Sequence, residues 1–101
     1  MSLPIIVSGF DDAFSRPGPT VSLVCIMTGN PTPILSWSRD DSPLSTSERY
    51  HIETHVTSNG DVISNLTIHS VTIEDGGDYI CRGSNVIGAI EHIGRLNIYG
   101  E

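Results

Sequence analysis

Cys25, then Trp37 twelve residues later, then the run Asp75-Gly76-Gly77-Asp78-Tyr79-Ile80-Cys81 decide the architecture of this 101-residue chain. Around Cys25 the sequence alternates: Val21, Leu23, Cys25 and Met27 fall on one side of an extended segment, and Ser22, Val24, Ile26 and Thr28 on the other. Side chains of a strand alternate with period two, so Thr20 to Thr28 reads as a strand whose cysteine faces a core. Ile34 to Arg39 reads as another, with Leu35 and Trp37 inward, and Asp78 to Ser84 carries the second cysteine. A cysteine in each of two layers, a tryptophan to pack against them and a tyrosine two residues before the second cysteine call for two sheets packed face to face.

The rest of the chain supplies strands and turns and no credible helix. Ile5 to Val7 reads as a first edge strand after Pro4, with Ala13 to Arg16 as its continuation before the Pro17-Gly18-Pro19 turn. Gly29-Asn30-Pro31-Thr32-Pro33 is rich in breakers and reads as a loop. Asp40 to Glu48 is a polar connection of modest length containing Pro43, with room for a short edge strand. Tyr50 to Thr57 and Val62 to Ser70 form a strand pair joined at Asn59-Gly60, which favours a two-residue hairpin turn. Leu66 and Ile68 belong to the core. Thr72 to Asp75 turns the corner into the second cysteine strand, and Ala89 to Tyr99 is the last strand. About eight short strands at regular spacing make an all-β sandwich of two antiparallel sheets.

At this length one domain is expected, close to the smallest size that buries a good core unaided. If Cys25 and Cys81 are bridged, they close a loop of roughly 57 residues, and the chain-entropy estimate is about 4 kcal/mol. A pair of buried thiols is the alternative. No signal peptide and no apolar run long enough to span a bilayer stands in the sequence. Residues 1–3 read as an added start or linker, and residues 4–100 as a single domain cut from a longer protein. The net charge of −7, with five Lys and Arg, disfavours nucleic acid and anionic membrane as partners.

Tyr79 is placed to fill one end of the core while its hydroxyl bonds backbone a few residues upstream. Asp75 would be a partly buried carboxylate at the same corner, and Arg49 is the cation expected to meet it, since a planar guanidinium can give two hydrogen bonds. A solvated Arg49 and a turn-capping Asp75 form the alternative. Either way the pair is structural.

Cys25, Trp37, Leu66 and Asp75-x-Gly77-x-Tyr79-x-Cys81 resemble an immunoglobulin domain of the I-set, the span from Trp37 to Cys81 being too short for the extra strands of a variable domain. The resemblance implies an immunoglobulin-like β-sandwich with one disulfide, Cys25–Cys81, between its sheets, and an oxidising compartment. Five further runs are similar to the arthropod Dscam cell-adhesion receptors: Arg16 to Leu23, Thr28 to Pro33, Asn59 to Ser64, Asp75 to Tyr79 and Gly94 to Gly100. They most resemble the seventh immunoglobulin domain, which is encoded by alternative exons, or the equivalent first domain of the shortened chelicerate receptors. This likeness implies an extracellular domain of a cell-surface transmembrane protein. It also implies isoform-specific binding to an identical copy on an opposing cell, with membrane contact only through the parent protein.

Alternation also suggests which surface would pair. Val24 and Ile26 point outward where solvent favours polar residues, with Ile63 outward on the neighbouring strand. His51, Glu53, His55, Thr67 and His69 flank them, giving a mixed face of the first sheet that an antiparallel homodimer could bury. Ordinary scattered surface aliphatics are the bland reading. His51 and His55 stand four residues apart, about 13 Å along a strand, too far to share one metal, so no metal or other cofactor is expected; histidines in an interface would instead make pairing sensitive to pH. Asn65-Leu66-Thr67 is an N-glycosylation sequon on that same face, whereas Asn30-Pro31-Thr32 is excluded by its proline. Either the sequon is unused, or its glycan lies at the margin, or pairing uses another surface.

Enzymatic readings lack their elements: there is no Gly-x-Ser-x-Gly turn and no Gly-rich phosphate loop, and the paired acids Asp11-Asp12, Asp40-Asp41 and Glu74-Asp75 lie at turns. No small-molecule substrate is expected. Two rivals remain. One is an intracellular mechanical I-set module. The other is a heterophilic receptor domain using Ile34, Ile80, Arg82, Ile93 and Arg95 of the second sheet.

Overall fold

The computed structural model describes residues 1–100. Nine strands run in the order β1 (Ser2–Ser8), β2 (Ala13–Ser15), β3 (Val21–Asn30), β4 (Ile34–Arg39), β5 (Ser42–Pro43), β6 (Tyr50–Val56), β7 (Val62–Ile68), β8 (Gly77–Ser84) and β9 (Ala89–Ile98), with a 3-10 turn at Ile73–Asp75 before β8. They form a four-stranded sheet ordered β1-β3-β7-β6 and a five-stranded sheet ordered β2-β9-β8-β4-β5. The core lies between them. The alternation expected of half-buried strands is visible in β7, where Val62, Ser64, Leu66 and Ile68 are buried and Ile63, Asn65 and Thr67 only half-buried. The disulfide Cys25–Cys81 joins β3 to β8, one strand from each sheet, so the bridged alternative holds and the reduced-thiol one does not. Leu23, Cys25, Met27, Leu66, Tyr79 and Leu96 are nearly or fully buried around it.

Four expectations need correction. Both sheets were read as wholly antiparallel, but β2 pairs parallel with β9. Ala13–Ser15 is not a continuation of the first strand within its sheet: the chain leaves the first sheet after Ser8 and rejoins the second. Phe10 drives this crossing, because its buried ring sits 5.4 Å from Trp37 and edge-on to His92 at 4.7 Å. His92 Nε2 donates to the Phe10 carbonyl oxygen at 2.6 Å, and Arg95 N donates to Asp12 Oδ1 at 2.8 Å. Second, β3 continues through Gly29 and Asn30, read as loop, because Asn30 pairs with Ser2. The pairing also places Ser2 and Leu3, read as a leading segment, inside β1.

Third, Asn59-Gly60 does not make a two-residue turn. Thr57 N bonds Asp61 O at 2.8 Å, leaving a three-residue loop, Ser58-Asn59-Gly60, in which Gly60 alone takes a positive φ of 89°. The right-handed strand twist is matched here by one left-handed glycine rather than by a doubly positive pair. Fourth, the corner after Ser70 is helical for one 3-10 turn where no helix was expected. Asp75 stabilises it by accepting from Thr72 N at 2.8 Å, while Asp75 N bonds Thr72 O at 3.0 Å.

Candidate interaction face

The inward half of each strand builds the scaffold that holds the face. Trp37 is 2 % exposed and its Nε1 donates to Ser64 Oγ at 2.8 Å; Ser64 Oγ in turn shares a hydrogen bond of 2.8 Å with Thr54 Oγ1. A buried indole N–H without a partner would cost about 1–3 kcal/mol, so this chain fixes β4 against β7 and β6. Ser64 was not singled out from the sequence. Its signal was a small hydroxyl in the inward phase of β7 between Val62 and Leu66.

At the lower corner the structure brings Arg49 and Asp75 together. The Asp75 side chain is 2 % exposed; Arg49 Nη2 donates to its Oδ2, Tyr50 hydroxyl donates to its Oδ1 at 3.2 Å, and Arg39 Nη1 lies 3.7 Å away. Burial pushes the Asp75 carboxyl up, but the Thr72 amide, the Arg49 guanidinium and the Tyr50 hydroxyl outweigh it, and the group is held below the ordinary carboxylate range. Tyr79 hydroxyl donates to Asp75 O at 2.6 Å, and burial pushes its phenol well above the ordinary range. Arg39 and Tyr50 were missed because their convergence depends on β4 and β6 lying on different sheets.

The outward half of β3, β7 and β6 makes three complete cross-strand rows. Ser22, Thr67 and His51 form one, Val24, Asn65 and Glu53 the next, and Ile26, Ile63 and His55 the third. Ser8 of β1 extends the third row. Val24 is 38 % exposed, Ile26 and Ile63 are half-buried, and His51, Glu53, His55 and His69 are exposed, with His69 just beyond the end of β7. Ile5 and Val7 on β1, each a little over half exposed, extend the aliphatic part to the sheet edge, while Leu3 lies against Gly88 in the turn between β8 and β9. Ile5 and Val7 were not singled out; irregularities in the β1–β3 register on either side of Ile5 and Ile6 interrupt the alternation that would mark them. The face is therefore divided: aliphatic on β1 and β3, polar and charged on β6, with β7 between.

On the second sheet Ile80 lies directly across from Ile93, and Arg82 across from Glu91. Ile34 is 75 % and Ile93 56 % exposed, and Arg95 is bound to Asp78 at 3.0 Å. Its aliphatic residues are more exposed than Val24, and the patch is interrupted by the Arg95–Asp78 ion pair and by Arg82 and Glu91.

The two sheets, the disulfide between them and the tyrosine hydroxyl bonded back to the corner define an immunoglobulin-type sandwich. Residues 4–98 match the family model of the immunoglobulin I-set domain, and the chain belongs to that family. It is 45% identical over 97 residues to the cell adhesion molecule Dscam2 and 43% identical to the cell adhesion molecule Dscam1, both of Drosophila melanogaster. Each alignment covers 96% of this chain and 5% of the relative, so the chain spans about one twentieth of those proteins. Among solved structures it superposes with a TM-score of 0.93 and 42% identity on the crystal structure of the eight N-terminal Ig domains of Down Syndrome Cell Adhesion Molecule isoform 1.30.30, covering 98% of this chain and 13% of that one. Its similarity is therefore to single immunoglobulin domains within much longer cell adhesion molecules. No helix among the described residues is long and apolar enough to cross a membrane.

Proposed function

We propose that this domain recognises an identical copy of itself, isoform by isoform, through an antiparallel pairing of the first-sheet face, in the ectodomain of a Dscam-like cell-surface receptor. The observation that carries the reading is the outward aliphatic field of Val24, exposed, and Ile26 and Ile63, half-buried, beside the polar strand residues His51, Glu53 and His55, with Thr67 and His69 at the end of β7. A two-fold axis lying in the interface plane and crossing the strands at right angles sets each strand against its own copy. The aliphatic half then meets the aliphatic half, and along β6 His51 meets His55 of the copy, so that the two Glu53 carboxylates meet flanked by imidazoles of both chains. A single changed side chain on β6 is thereby presented twice, which lets few substitutions discriminate many isoforms.

Size sets the strength. Seven residues at ~3.3 Å by four strands at ~4.8 Å give about 23 by 19 Å, roughly 440 Å² of flat face per copy. The total of roughly 900 Å² is at the low end for specific interfaces, so one domain pairs weakly and adhesion needs several contacts acting together. In the parent protein we place the domain at the alternatively spliced seventh position, or at the first position of a shortened chelicerate receptor, on the strength of the five sequence runs above.

Ile26→Asp tests the pairing: each copy would bury an unpaired carboxylate one row from the axis, against Ser22 of its partner, which should weaken self-association at least tenfold in sedimentation equilibrium. Val24→Asp should act likewise, and Ile93→Asp on the second sheet should leave the dissociation constant unchanged. Equal constants for Ile26→Asp and the unmodified chain would refute the reading. If Ile93→Asp alone reduces binding, and cells expressing different isoforms aggregate as well as identical ones, the second sheet and a heterophilic partner take its place; the exposed Ile34 and Ile93 are what favour that alternative.

A further inference from the structure

We infer that Asn65 accepts an asparagine-linked oligosaccharide and that the attached glycan closes the first-sheet face to a second copy; the closure rests on the self-pairing reading above. Asn65-Leu66-Thr67 meets the acceptor requirement in sequence, and the fold gives it a position. Leu66 is fully buried, so Asn65 and Thr67 project together from the outward side of β7. Val24 stands directly across from Asn65 on β3, and Glu53 directly across on β6. Asn65 therefore occupies the middle of the three complete rows and the interior of the sheet, flanked by a strand on each side. A sugar attached there stands at the centre of the face and not at its rim.

In the transfer, Asn65 Nδ2 forms a bond to the anomeric carbon of an oligosaccharide carried on a polyprenol pyrophosphate. The carbon–oxygen bond to the pyrophosphate breaks, and the amide proton leaves with the departing lipid pyrophosphate. Two sheets packed face to face lie ~10 Å apart, and side chains fill that gap. A branched oligosaccharide rooted in the middle row has no path out between them. With each strand set against its own copy, the middle rows of both partners come together, so one occupied chain is enough to block a pair. Occupancy at Asn65 then sets the fraction of copies able to recognise each other, with no change to the residues that encode specificity.

The test compares the chain secreted from eukaryotic cells, Asn65→Gln from the same cells, and the unmodified chain made in the bacterial periplasm. Each is weighed intact by mass spectrometry and run in sedimentation equilibrium. The secreted chain should carry a glycan mass that Asn65→Gln lacks, and should stay monomeric at concentrations at least tenfold above those at which the other two pair. A secreted chain without added mass overturns the inference, as does a glycosylated chain that pairs as tightly as Asn65→Gln. If all three remain monomeric, the self-pairing reading fails and the closure with it, while the mass difference still decides whether Asn65 is an acceptor.

Discussion

Replacing Asp75 by Asn keeps the shape of the side chain and an oxygen to accept from Thr72 N, but removes the charge around which Arg49, Arg39 and the Tyr50 hydroxyl gather. Asp75 is shielded from solvent, so the lost charge-assisted hydrogen bonding is worth about 1.5–3 kcal/mol. The two guanidinium groups are not stranded: the Arg49 side chain is 43% exposed and that of Arg39 27%, and both can turn to water, which puts the expected cost near 2 kcal/mol. For a domain of this size that is a fall in Tm of roughly 10 °C. The charge also predicts how the cost changes with pH. Asp75 has a folded pKa lowered from 3.8, so its contribution is complete above the unfolded value and fades as pH falls through the folded one. Urea unfolding followed by the fluorescence of the single Trp37 should therefore show the full gap between Asp75→Asn and the unmodified chain at pH 7. The gap should shrink steadily below about pH 4, once protons neutralise Asp75 in the reference chain as well. A gap of equal size at pH 7 and at about pH 2 would refute the electrostatic account, and no gap at pH 7 would refute the contribution of the cluster altogether.

Ser64→Ala should cost about 1–3 kcal/mol, because it leaves the buried Trp37 N–H without an acceptor; circular dichroism melts should show a clearly smaller loss when the same change is made beside Trp37→Phe, and additive losses would mean the bond contributes nothing. Gly77→Ala should cost about 1–3 kcal/mol in urea unfolding, since Gly77 holds a φ of 150° that a side chain resists and its added Cβ would lie 2.6 Å from Asp40 Oδ2; a loss under about 0.5 kcal/mol would show that the strand start relaxes freely.

Where a strand has one wet and one dry side, its role is visible in the residues themselves. Val21, Leu23, Cys25 and Met27 announce a core face with a cysteine in it, and the same alternation exposes Val24 and Ile26 on the other side. The Asn59-Gly60 hairpin was legible as a turn but not in its length, because the left-handed preference of glycine is local whereas the number of paired residues is decided by both strands. The sheet crossing at Phe10 was not legible at all. Gly9-Phe10-Asp11-Asp12 has no periodicity, and what pulls the chain across is an aromatic contact with Trp37 and His92, residues far away in sequence. The same holds for the candidate face: its β3 and β7 members follow from alternation around Cys25 and Leu66, whereas the contribution of Ile5 and Val7 depends on β1 lying beside β3, a matter of pairing rather than pattern. Arg39 and Tyr50 at Asp75 are likewise products of two sheets closing on one corner.

The parallel pairing of β2 with β9 has a mechanical consequence for a domain loaded through its two ends. Tension drawn between the two ends of the chain pulls β2 and β9 in opposite senses along their common axis. The three register pairs Ala13–Leu96, Phe14–Asn97 and Ser15–Ile98, together with the Tyr99 N to Ser15 O bond, are then sheared side by side instead of being peeled one after another. Once that seam gives way, the Cys25–Cys81 bond, with a sequence separation of 56, still keeps everything between the two cysteines from lengthening. Only the two flanking tails can yield, so β1 pays out with the N-terminal tail while β6 and β7 of the candidate face stay inside the closed loop.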